Sequence, residues 1–129
     1  MNPWLLSAGF CSLLIGAVHS VMGERRIFRH LRQGGLVPTR AEPLMRGYQL
    51  SIVWASWHLV TCFGVGVAVM LFVAARPDTP PHLRDLLGTS GVGIMLTSAA
   101  LVAFATRGRH LAWLALSLTS ALALWGMQS

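Results

Sequence analysis

The chain has 129 residues, of which 54% are hydrophobic and only 11% charged, with ten basic and four acidic side chains. A water-soluble domain of this size carries about a quarter charged residues, so that class is excluded and a membrane becomes the expected solvent. The formal charge of +6 would suggest nucleic acid in a soluble protein, but here the arginines sit between apolar runs, where topology accounts for them.

The first run, 3–22, is uncharged and long enough to cross a hydrocarbon layer about 30 Å thick. A cleaved signal peptide would begin with a basic residue; Met1-Asn2-Pro3-Trp4 does not, so this helix is expected to stay and span. Ser12, Gly16 and Ser20 recur every four residues, a stripe that lets another helix approach closely. From Glu24 to Gln33 a basic amphipathic segment is expected on the cytoplasmic membrane surface. Arg25, Arg29 and Arg32 fall on one face, and Ile27, Phe28 and Leu31 on the other. Gly34-Gly35 breaks it, and Thr39 with Glu42 has capping-box spacing for the approach to the next helix.

The second run, 47–75, is longer than a bilayer needs. Ser51, Ala55, His58 and Cys62 form a stripe expected to face the bundle interior, with Val53, Val60 and Val67 opposite. Trp54 and Trp57 sit too deep for an interfacial belt, so they pack against neighbours, face lipid or line a site. Pro77 stops the helix. Thr79-Pro80 is read as a cap followed by the first helical residue of the third segment, whose uncharged run is 86–106. Gly108 ends it, and the short link to the fourth run, 111–127, makes these two helices antiparallel neighbours.

These elements predict an all-α, integral membrane four-helix bundle, 1–129, as one transmembrane domain. Continuous apolar runs argue against a β-barrel. Six arginines precede the second run and two follow the third, against Arg76 and Arg84 beside Asp78 and Asp85 in the middle loop. The positive-inside rule then puts the first and third loops in the cytoplasm and both termini outside, in the periplasm.

Chemistry-bearing residues are few. Only His19 and His58 place an imidazole inside the runs, and such rings need a partner in lipid. Counted from the nearest arginine at 1.5 Å per residue, they lie about 9 Å and 18 Å deep, a gap that weighs against one small metal ion between them. Gly16 and Gly64 leave room for a flat ring such as haem. Cys11 and Cys62 form no zinc or redox motif, and there is no phosphate loop, nucleophile elbow or carboxylate pair.

The string His19-Ser20-Val21-Met22-Gly23-Glu24-Arg25, followed by Trp57-His58-Leu59-Val60-Thr61, resembles a group of small four-helix bacterial inner-membrane proteins without an assigned activity. The resemblance covers the first half of the chain. It implies a bacterial inner-membrane location and that His19, Glu24 and His58 belong together, a grouping that spacing alone does not yield. Three readings follow: a polar site at these residues holding a metal, a haem or a quinone head; an accessory or scaffold subunit of a larger complex or homo-oligomer; and a small transporter. The third lacks the usual mid-membrane carboxylate.

Overall fold

A computed structural model describes residues 1–36, 38 and 45–129. Its described residues form helices and the links between them, with no strand among them: α1 (Pro3–Arg26), a 3-10 turn (Phe28–Leu31), α2 (Gly47–Ala74), α3 (Pro81–Thr106) and α4 (Ala112–Gln128). By length and composition, α1, α2 and α3 are each long and apolar enough to cross a membrane. The Thr39 and Glu42 capping pair, and Arg40, lie outside the described residues.

The helices overrun the uncharged segments. α1 continues to Arg26, four residues past the last apolar one, and α3 starts at Pro81, five before the third run. Backbone hydrogen bonding does not stop at the first charge, because Glu and Arg are good helix formers at a solvated end. Proline fits the first turn of α3, where its missing N–H has no partner to lose. Thr79 is not the cap. Pro80 precedes the helix, and the Thr79 hydroxyl instead donates to the Val73 carbonyl at the end of α2. At its other end α3 closes with Arg107 and Gly108 both at positive φ, their N–H groups returning to the carbonyls of Phe104 and Ala103. That is a Schellman closure with arginine in the position glycine usually takes.

Two compact units divide the chain, Met1–Ile15 with Gly64–Ser129, and Gly16–Phe63. The first holds the apolar core: Leu5, Ala8, Leu71, Ala74 and Ala123 are each at most 1% exposed. Small residues admit large ones there. Phe72 lies over Gly9, Met127 over Gly88, and the Leu71 side chain against Gly91. α3 and α4 run antiparallel, with the Ser120 hydroxyl donating to the Val92 carbonyl at 3.5 Å. In the link from α2 to α3, Arg84 donates to the carbonyls of Ala74 and Arg76. Arg76 hydrogen-bonds Asp78, which holds that carboxyl below its usual range, but the pair is solvent-exposed and adds little stability.

Asn2 ties this unit together. Its Oδ1 accepts the N–H groups of Trp4 and Leu5 as the cap of α1, its own N–H donates to Ala75 O at 2.8 Å, and its Nδ2 donates to Gly126 O at 2.7 Å. Asn2→Ala should therefore lower unfolding stability by about 1 kcal/mol, the usual value of a cap, and by more if the Gly126 bond is lost without replacement. A denaturant titration followed by the Trp4 and Trp125 fluorescence checks this, since their rings lie 6.3 Å apart at the same end.

Candidate functional site

The second unit is an antiparallel pairing of the end of α1 with the start of α2. The Ser12-Gly16-Ser20 stripe does face α2, and in this unit the fit is close. A Cβ on Gly16 would meet the Thr61 methyl at 3.3 Å, and one on Gly23 would fall inside the Trp57 indole. Gly16 therefore seats a neighbouring helix and leaves no room for a flat ring. Gly64, in the first unit, is likewise opposite Ser12, whose hydroxyl donates to its carbonyl at 2.8 Å.

Facing α1 on this part of α2 are Trp54, Trp57, His58 and Thr61. The predicted stripe is one step off: His58 faces α1, but Ala55 and Cys62 are exposed. The tryptophans set the face because only they are large enough to fill the space above the small residues of α1.

A line of polar groups runs along the contact. The Thr61 hydroxyl shares its one proton between Ser20 Oγ at 2.7 Å and Gly16 O at 3.3 Å, and Ser20 Oγ is 2.9 Å from His58 Nδ1. The other His58 nitrogen, Nε2, faces Glu24 Oε2 at 3.8 Å. The same oxygen accepts from Trp54 Nε1 at 3.3 Å, and Glu24 Oε1 pairs with the Arg32 guanidinium. A carboxylate beside Nε2 favours the tautomer protonated there, so the Ser20 hydroxyl donates to Nδ1. At 3.8 Å the Nε2 proton does not reach Glu24 as a hydrogen bond, and this buried atom has no other hydrogen-bond partner.

Glu24 and His58 thus lie side by side. His19 is placed beside them and not between them: its ring stacks on Trp57 at 4.3 Å, and its carbonyl accepts from Trp57 Nε1 at 3.1 Å. The depth gap between the two histidines disappears. Trp54 is level with Glu24, so the first turns of α2 run beyond the end of α1, and counting from Arg46 overstated the depth of His58.

The segment after α1 departs from expectation. It is not a continuous amphipathic helix. α1 stops at Arg26, and the 3-10 turn buries Phe28 against Trp57 and His58, with ring centroids at 5.7 and 6.3 Å. Arg32 is thereby turned back to Glu24, while Arg25, Arg26 and Arg29 remain exposed. Sequence reasoning missed Ser20, Arg32 and Thr61 as parts of the site. The signal available for Ser20 and Thr61 was polarity inside otherwise apolar runs.

Beside this network lies an open cleft of about 350 Å³ lined by Ser20, Val21, Glu24, Arg25 and His58. Among the described residues no group of three His, Cys, Asp or Glu stands close enough to hold a metal ion. The order Ser20, His58, Glu24 is that of a nucleophile relay. On a regular helix, however, the N–H groups around Ser20 are used within the helix and supply no oxyanion hole. What the arrangement offers is hydrogen-bond donors and acceptors beside an apolar wall. No family model, no curated protein and no solved structure matches the chain.

Proposed function

We propose that the chain is a four-pass membrane protein that binds the polar head of a small lipid-soluble molecule at the Glu24–His58 cleft. The observation that carries this reading is His58 Nε2, a buried donor without a hydrogen-bond partner, 3.8 Å from a carboxylate that Trp54 and Arg32 hold in place. An orphaned polar atom of this kind, on a helix long and apolar enough to span, marks a binding position more readily than a packing contact.

Four crossings are supported by length and by the chain ends. α4 has 17 residues, about 26 Å at 1.5 Å per residue, and the bond from Asn2 to Gly126 brings the start of α1 beside the end of α4. Exposed apolar side chains such as Phe104, 85% exposed, and Leu101, 66%, are suited to lipid contact. With eight arginines in the first and third loops, the reading places those loops in the cytoplasm of a bacterium and the termini in the periplasm.

Of the occupants considered, a quinone-type head fits the donor set better than a metal or haem. A carbonyl oxygen can accept from His58 Nε2 without disturbing the network. A metal drawn to His58 would need a ring lone pair, which means displacing the Ser20 bond at Nδ1 or the proton at Nε2. The scaffold reading rests on the same bonds seen as helix glue.

Purified wild type should retain a lipid-soluble compound detectable by solvent extraction and mass spectrometry, and His58→Gln should lose roughly tenfold in occupancy, the effect of one hydrogen bond to a buried donor. A wild type that enriches no compound over the surrounding lipid, with a variant that complements a deletion strain fully, would leave the scaffold reading in its place.

A further inference from the structure

We infer that the occupant of the cleft is an anionic phospholipid, held by its phosphodiester on Arg25. This rests on the reading of the cleft as a ligand site and names the chemistry it selects. Glu24 and Arg32 neutralise each other, so among the described residues lining the cleft the charge left is that of Arg25. Among the described residues the Arg25 guanidinium has no carboxylate partner and no hydrogen bond, and it is exposed at the end of α1. A singly charged phosphodiester completes the balance, and the planar guanidinium suits two of its oxygens at once.

The remainder of the cleft has the polarity of a lipid. Val21 lies one turn before Arg25 and forms the apolar wall, and Val18, one turn further along the same face, is 46% exposed. Together they offer an acyl chain a track leading away from the charge. Between charge and track stand Ser20 and His58.

The test is lipid selection in nanodiscs made from equal amounts of phosphatidylglycerol and phosphatidylcholine, followed by detergent extraction of the protein and mass spectrometry of the lipid it keeps. Phosphatidylglycerol should be enriched roughly tenfold, the worth of one charge-assisted contact. Arg25→Gln should bring the ratio close to parity, and Arg109→Gln, which removes an exposed arginine from the α3–α4 link, should leave it unchanged. Among the described residues Arg25 makes no hydrogen bond or ion pair, so its variant should fold; an unchanged tryptophan emission spectrum verifies that. Equal loss in both variants would mean general surface attraction and overturn the proposal. So would retention that millimolar inorganic phosphate abolishes, which marks a site for free phosphate. If a neutral lipid-soluble compound is kept and phosphatidylglycerol is not, this inference fails while the ligand site stands. If neither is kept, the site reading fails with it.

Discussion

Gly23→Ala should destabilise the helix pair by about 1–3 kcal/mol, the usual range for overpacking a filled contact. Two effects compete. Alanine is the better helix former by about 1 kcal/mol, which would favour the variant if the position were open. It is not open: the added Cβ would fall inside the Trp57 indole, at Nε1, Cε2 and Cδ1. That ring cannot slide away, since His19 stacks on one face and Phe28 meets it at 77°. Displacing it also breaks the hydrogen bond from Trp57 Nε1 to His19 O. Unfolding in increasing denaturant, read by tryptophan fluorescence, gives the sign. Adding Trp57→Ala to the Gly23→Ala background should cost less than Trp57→Ala alone in wild type, because the pair is coupled through one contact. A Gly23→Ala protein as stable as wild type would show that the overlap relaxes freely.

Glu24→Ala should have the second large effect, about 1–3 kcal/mol, the range for leaving hydrogen-bonded partners unsatisfied. Arg32, Trp54 Nε1 and His58 Nε2 all point at this carboxylate, whose side chain is 28% exposed, so water can replace only part of what is lost. The local consequence is larger than the global one. Arg32 is the tie between the segment after the 3-10 turn and α1, so amide exchange from Phe28 to Leu36 should accelerate in the variant while exchange in α3 and α4 stays unchanged. Removing Arg32 as well should restore part of the stability, because an unpaired guanidinium is worse than no charge at all. Uniform acceleration along the whole chain would contradict this assignment.

These two residues also mark the limit of what spacing can reveal. Gly23 and Glu24 lie where the uncharged run has ended, and hydropathy says only that the helix is leaving its apolar stretch. That α1 goes on to Arg26 depends on helix propensity at a solvated end, which an apolar run does not measure. His58 was recognisable as a ring needing a partner. The partner's identity was not, since Glu24 reaches it from another helix and Arg32 comes from a turn eight residues further along. His19 stood out for the same reason as His58, yet its ring is spent on Trp57. The basic segment after α1 carried a real amphipathic pattern, but Phe28 finds a better surface between Trp57 and His58 than a continued helix would offer it.

By itself the sequence determined the number and approximate place of the helices, the class of solvent they are suited to, and the few polar groups that require explanation. Those properties are local: they follow from runs of apolar side chains, from proline and glycine, and from the charges between them. The tertiary structure alone decided the register of α1 against α2. Twenty residues separate Arg26 from Gly47, a link too long to dictate which turn meets which. The register comes instead from interlocking shapes, Thr61 over Gly16 and Trp57 over Gly23, and that fit lays Ser20 and Glu24 on either side of His58. Hydropathy varies along one dimension, whereas a site requires that residues far apart in the chain share one level and one face.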